Sequence, residues 1–113
     1  VAETHDITIE QGATFDLVVE WQDPDGDPID LTGYSAAMQV RRTFSDVALI
    51  SLSSGSGITI DAVNGKLTIT VSRTVTASLP APLRGVYDIE VSTGGITYRL
   101  VEGSVMITPE VTR

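Results

Sequence analysis

Between Phe15 and Trp21 the chain reads FDLVVEW, with Phe15, Leu17, Val19 and Trp21 at alternate places and Asp16, Val18 and Glu20 between them. A two-residue period sends successive side chains to opposite faces of a sheet, so this run is a half-buried strand. The same period recurs along the chain. Ile7 and Ile9 alternate with Asp6, Thr8 and Glu10, and Gln11-Gly12 turns the chain into the Phe15 run. Tyr34, Ala36, Met38 and Val40 share one face, while Ser35, Ala37, Gln39 and Arg41 share the other. Valine, isoleucine and threonine, stiff at χ1 and suited to a pleated surface, dominate throughout.

Turn signals punctuate these runs. Val47 to Leu52 reads as a short strand near an edge, and SSGSG (residues 53–57) after it reads as a mobile loop. Ile58-Thr59-Ile60 and the run from Lys66 bracket DAVNGK, whose Asn64-Gly65 predicts a tight hairpin because both residues tolerate positive φ. The alternation stops between Ser72 and Leu79. There a helical turn is expected, with Ser72 or Thr74 as N-cap and Pro80 beyond the stop. Two last runs meet at Gly94-Gly95, which sets Tyr87, Ile89 and Val91 against Ile96, Tyr98 and Leu100. The apolar phase slips before Val105 and Ile107, which predicts a bulge at Gly103.

Short strands with turns every eight to twelve residues predict an all-β fold: an antiparallel immunoglobulin-like β-sandwich of seven to eight strands with one short helical turn near residues 73–79. A small barrel is the alternative. With 113 residues the chain has room for one core, so residues 1–113 are expected to form a single domain. Residues 1–5 and 109–113 are expected to be flexible ends or partner-contact tails.

Composition narrows the function classes. Seven Lys+Arg against 15 Asp+Glu give a net charge of -8, which repels a phosphate backbone, so nucleic acid is not an expected partner. The adjacent Arg41 and Arg42 read as a solvated strand end. Without cysteine there is no disulfide or thiolate chemistry. No apolar run approaches the roughly 18 residues of a membrane helix, and no leader opens the chain, so neither membrane nor export is expected.

Catalytic constellations are not apparent. The single histidine, His5, falls in an N-terminal segment expected to fray, so it is expected to be an exposed terminal residue and no triad is expected. Asp16 and Glu20, like Asp88 and Glu90, fall on solvent faces of strands and read as solubilising charges. The one candidate site is WQDPDGDPIDLTGY, with Asp23, Asp25, Asp27 and Asp30 in eight residues. A calcium loop of EF-hand type needs a different glycine position and flanking helices. A turn uses every residue: Asp23 accepts locally, Pro24 sets the first corner, Gly26 takes the left-handed place, Asp27-Pro28-Ile29 returns along the strand ending at Trp21, and Asp30 closes an Asx turn on Thr32 or Gly33. The expected catalytic, cofactor-binding and metal residues are therefore none, with weak cation binding by Asp23, Asp25 and Asp27 as the minority reading.

QGATFDLVVEW, DGDPIDLTGYSAAMQVR, the helical turn before GVYDIEV, and the ending LVEGSVMITPEVTR together resemble the small β-sandwich structural proteins of tailed bacteriophages. They are similar to the N-terminal domain of phage upper baseplate proteins. The resemblance implies a non-enzymatic virion protein, assembled in the host cytoplasm. It would be a tail- or baseplate-associated adaptor, packing against other virion proteins in a symmetric homo- or hetero-oligomeric assembly. Long upper baseplate proteins continue into fibre-like sequence where this chain ends at Arg113, which favours an adaptor over a receptor-binding fibre. A head decoration protein is one alternative. A carbohydrate-binding module is another, opposed by the inward phase of Phe15, Trp21 and Tyr34. Partner contacts are expected at TFSDVALISLSSGSG and at the tail TPEVTR.

Overall fold

The computed structural model describes residues 3–110. Nine strands and one short helix follow in chain order: β1 (Glu3–Thr4), β2 (Ile7–Glu10), β3 (Phe15–Glu20), β4 (Ser35–Arg41), β5 (Ala48–Ser54), β6 (Gly57–Asp61), β7 (Lys66–Val71), α1 (Arg73–Ala77), β8 (Leu83–Thr93) and β9 (Ile96–Thr108). Hydrogen bonding links them in the order β1-β9-β8-β4-β5-β6-β7-β3, with β2 also against β9. The fold is all-β, built on one curled sheet.

The sheet is mixed, which corrects the antiparallel expectation. β1 and β2 both run parallel to β9, with Thr4 opposite Glu102 and Ile7 opposite Val105. The chain reaches β3 by a turn at its other end, so β2 has no hairpin partner and lies beside the last strand instead. β5 and β6 also pair in parallel, but only through Ser53 with Gly57 and Ser54 with Ile58. Partners four residues apart in sequence mark a corner of the chain. Three backbone hydrogen bonds close that corner, from Ser53 N to Ser56 O, Gly55 N to Ile58 O and Ser56 N to Ser53 O. SSGSG is therefore a bonded bend where a mobile loop was expected. Because β5 has β6 beside it only at this corner, the near-edge reading holds for its first residues.

Burial follows the alternation. Ile7 and Ile9 point inward from β2, Ala36, Met38 and Val40 from β4, and Tyr87, Ile89 and Val91 from β8. These pack with Leu67, Ile69 and Val71 of β7 and with Val105 and Ile107 of β9 into one aliphatic core. Phe15, Leu17, Val19 and Trp21 are half-buried against it, because β3 ends the sheet and pairs with β7 alone among the described residues.

Caps and turns mostly follow local chemistry. Ser72 is the N-cap of α1 and its hydroxyl accepts from Val75 N at 3.4 Å. Thr76, fully buried, donates to the Ala13 carbonyl at 2.8 Å and accepts from Gly12 N at 3.1 Å, which ties the helix to the β2–β3 turn. Gly94 and Gly95 both have positive φ and join β8 to β9 with Thr93 opposite Ile96, as expected. The β6–β7 connection differs. Only Gly65 has positive φ there, while Asn64 does not and instead donates from Nδ2 to Asp61 Oδ2 at 2.9 Å, so the turn is a four-residue loop rather than a two-residue one.

The predicted bulge at Gly103 is displaced. The register slips between Ile89 and Glu90, where Ile89 faces Val101 and Glu90 faces Arg99, leaving Leu100 as the extra residue. Both Leu100 and Val101 are buried. Two adjacent apolar residues can satisfy the core from either place, so the alternation alone could not locate the slip. Gly103 faces Tyr87 in regular register and is needed for a different reason: a Cβ there would collide with the carbonyl of His5. The segment 1–5, expected as a flexible or contact end, carries β1, and Glu110 N donates to Gln11 Oε1 at 3.0 Å. Residues 1–2 and 111–113 lie outside the described residues.

Candidate functional site

On the outward face of β4, β8 and β9 the surface is concave, forming a groove of about 600 Å³. Its floor follows from the alternation: Gln39 and Arg41 project from β4, Asp88 and Glu90 from β8, and Arg99 and Glu102 from β9. The bulge makes the last pair possible. Without the extra Leu100, residues three apart on a strand would face opposite ways; with it, Arg99 and Glu102 share the outer face.

Arg99 lies at the centre of the charges. Its Nε is 3.5 Å from Asp88 Oδ2 and 3.9 Å from Glu90 Oε2, and its Nη1 is 3.5 Å from Glu102 Oε2. Asp88 and Glu102 are directly opposite across the β8–β9 ladder, a like-charge arrangement that Arg99 offsets. Arg41 is held by neutral acceptors, Nη1 donating to the Asp46 carbonyl at 2.7 Å and Nη2 to Gln39 Oε1 at 2.6 Å. Its positive charge meets no carboxylate in these bonds. Phe44, on the β4–β5 connection at the rim, is 82% exposed.

The groove's inner wall is the break between β1 and β2. At His5-Asp6 the regular ladder stops: His5 N still donates to Glu102 O at 2.9 Å, but Ser104 N donates to the Asp6 carboxylate at 3.0 Å instead of to a backbone carbonyl. The His5 carbonyl turns inward and accepts from the Tyr87 hydroxyl. The Ser104 amide holds the Asp6 carboxyl below the usual carboxylate range. Burial, and secondarily the Asp6 charge, pushes the Tyr87 phenol up to about 12.

The acidic turn is built as its residues predict. Asp23 Oδ1 accepts from Asp25 N and Asp27 N, both at 3.0 Å, while Gly26 N donates to Asp23 O at 2.9 Å with Gly26 at φ +87°. Ile29 N returns to Trp21 O at 3.0 Å. Asp30 Oδ1 accepts from Thr32 Oγ1 at 2.6 Å and Thr32 N at 2.9 Å, and these bonds lower its pKa, the hydroxyl contributing most. The carboxylates of Asp23 and Asp30 thus serve the backbone. Among the described residues no group of three or more acidic, histidine or cysteine side chains is arranged to hold a metal ion.

Other singled-out residues are dispersed. His5 is exposed; its backbone N–H donates to Glu102 O and its carbonyl accepts from the Tyr87 hydroxyl. On β3, Asp16 accepts from Thr70 Oγ1 at 3.0 Å and Glu20 lies 3.6 Å from Lys66 Nζ, so both join β3 to β7. Trp21 meets Tyr34 edge-on at 6.1 Å between ring centroids and tilts over Tyr98 at 5.5 Å. No helix among the described residues is long and apolar enough to cross a membrane.

No protein-family model matches the chain, and no curated protein matches it significantly. The grouping of Asp88, Glu90, Arg99 and Glu102 is not visible in the sequence, where the β8 acids read as separate solubilising charges. Its one sequence signal is the phase slip, which falls at Leu100 and not at Gly103.

Proposed function

We propose that the chain is a non-enzymatic packing module, a structural protein of tailed-phage particles that works as a tail- or baseplate-associated adaptor. The observation that carries this reading is the pair of unpaired strand edges: β3 pairs only with β7, its other edge facing β1 across a small cleft, and the Ile96–Arg99 part of β9 pairs only with β8 among the described residues. Unpaired edges accept a strand from a neighbour, and symmetric assemblies repeat such a contact around an axis. The phage assignment itself rests on the sequence resemblance.

The curled sheet also supports a finer architectural reading, an immunoglobulin-like sandwich. Divided at the two-residue joint between β5 and β6, the strand order becomes β9-β8-β4-β5, with β1 and β2 both on the outer edge of β9, on one side and β6-β7-β3 on the other. The core side chains would then fill the space between two layers.

Mass spectrometry of purified particles tests the role. The chain should copurify with tail proteins at a stoichiometry that fits the tail's rotational symmetry. A chain found only in the soluble fraction of infected cells contradicts the proposal. One observation favours a glycan-binding reading instead: Tyr98 is 44% exposed and tilted against Trp21. Saturable binding on a glycan array, lost in Tyr98→Ala, would replace the packing role.

A further inference from the structure

Three properties coincide in the groove over β4, β8 and β9. Its volume of about 600 Å³ falls within the roughly 300–1,000 Å³ typical of sites that enclose a ligand. Its lining holds four carboxylates, on Asp6, Asp88, Glu90 and Glu102, against two guanidinium groups, on Arg41 and Arg99, a local balance of 2 - 4 = -2. Its rim carries Phe44, a large apolar side chain that the fold leaves in water.

Asp6 is engaged by the Ser104 amide, but the other three carboxylates are not consumed by the fold. Three carboxylates share one guanidinium, at separations of 3.5 to 3.9 Å that leave oxygen lone pairs open. A buried core elsewhere stabilises the domain, so the exposed cluster has no structural necessity comparable to that of Tyr87 or Thr76. A cationic group entering beside Arg99 would meet Glu90 and Glu102 without displacing a backbone hydrogen bond. Phe44 offers either a cation–π face to that group or an apolar contact to its neighbour.

We propose that the groove docks an extended segment of a partner protein in which a lysine or arginine and an apolar residue stand two places apart and so share one face, the base seated among Asp88, Glu90 and Glu102 and the apolar side chain against Phe44. It rests on the packing role, because it names the chemistry of one contact that such a module makes. Charge complementarity selects the basic segment over a second copy of this chain, whose net charge of -8 would repel it. The groove's floor of three adjacent strands suits an extended segment better than a helix, whose diameter of about 10–12 Å with side chains would hold its backbone well above the floor.

The test is fluorescence anisotropy with a labelled synthetic peptide of repeating lysine–serine–valine–serine, which puts lysine and valine on one face of an extended chain, and a peptide of equal length with glutamate in place of lysine. The lysine peptide should bind saturably and weaken with salt, and the glutamate peptide should not bind. Asp88→Asn with Glu90→Gln should weaken binding by about tenfold, and Phe44→Ser should weaken it with the charge unchanged. Asp25→Asn with Asp27→Asn removes the same charge from the exposed turn and should leave binding intact. Thermal melts check that each variant is folded, and Phe44, standing in solvent, decides the matter if the acid variant unfolds. Equal weakening by both acid pairs, no effect of Phe44→Ser, or full competition by spermidine overturns the proposal. Peptide binding by a chain missing from particles would sink only the packing role; particles that contain the chain, with no peptide binding, would sink only the groove.

Discussion

The hydroxyl of Tyr87, on β8, donates to the backbone carbonyl of His5 across the break between β1 and β2. That single bond satisfies a carbonyl the β9 ladder no longer uses, while Asp6 takes over the Ser104 amide on the other side of the kink. Tyr87→Phe should therefore cost about 1 kcal/mol and speed hydrogen exchange at His5 N and Ser104 N. Unchanged exchange at both amides would show that the kink does not need the phenol.

The same hydroxyl predicts an alkaline transition. With its pKa raised from 10.0 to about 12, the folded chain keeps a proton that the unfolded chain loses first. Its contribution is complete below about pH 10 and is lost as pH rises toward 12. Denaturation midpoints measured across that window should fall more steeply in the parent than in Tyr87→Phe, with tyrosinate absorbance reporting the late-titrating group.

Thr76 is the most consequential buried polar side chain. Thr76→Val keeps its shape but removes the donor to the Ala13 carbonyl and the acceptor for Gly12 N. A loss of about 1–3 kcal/mol is expected, with Thr76→Ser recovering most of it. Urea denaturation compares the three.

Gly103 and Gly26 separate two uses of glycine. Gly103→Ala drives a methyl group into the His5 carbonyl and should cost about 2 kcal/mol or more, because backbone must move. Gly26→Ala meets open space and should cost only the left-handed backbone strain, about 1 kcal/mol. Thermal melts giving the reverse order would contradict the tight approach of β1–β2 to β9.

In the acidic turn, Asp23→Ala should destabilise the hairpin, since two amides lose their acceptor, while Asp25→Asn should be neutral. Asp30, with its pKa lowered by Thr32, contributes above the ordinary carboxylate range and loses that contribution as pH falls through its lowered value. Calorimetry with calcium should show no saturable heat; one that disappears in Asp25→Asn with Asp27→Asn would restore the cation reading.

Local chemistry made much of this legible in the sequence. The inward faces of β2, β4 and β8, the Asp23 and Asp30 turns, the Ser72 cap and the Gly94-Gly95 hairpin all depend on residues within a few places of each other. What depended on distant pairing was not legible. The parallel placement of β1 and β2 beside β9 leaves no mark in a period of two, and Leu100-Val101 hid the bulge because either residue fits the core. The groove is hidden for that reason: only the true register places Arg99 between Asp88, Glu90 and Glu102.

The packing role is tested most directly by where the chain sits. Purified phage particles labelled with an antibody against the folded domain should show label at the tail end, in a number of copies set by the tail's symmetry. A lattice of label over the head, or particles with no label at all, would contradict the account.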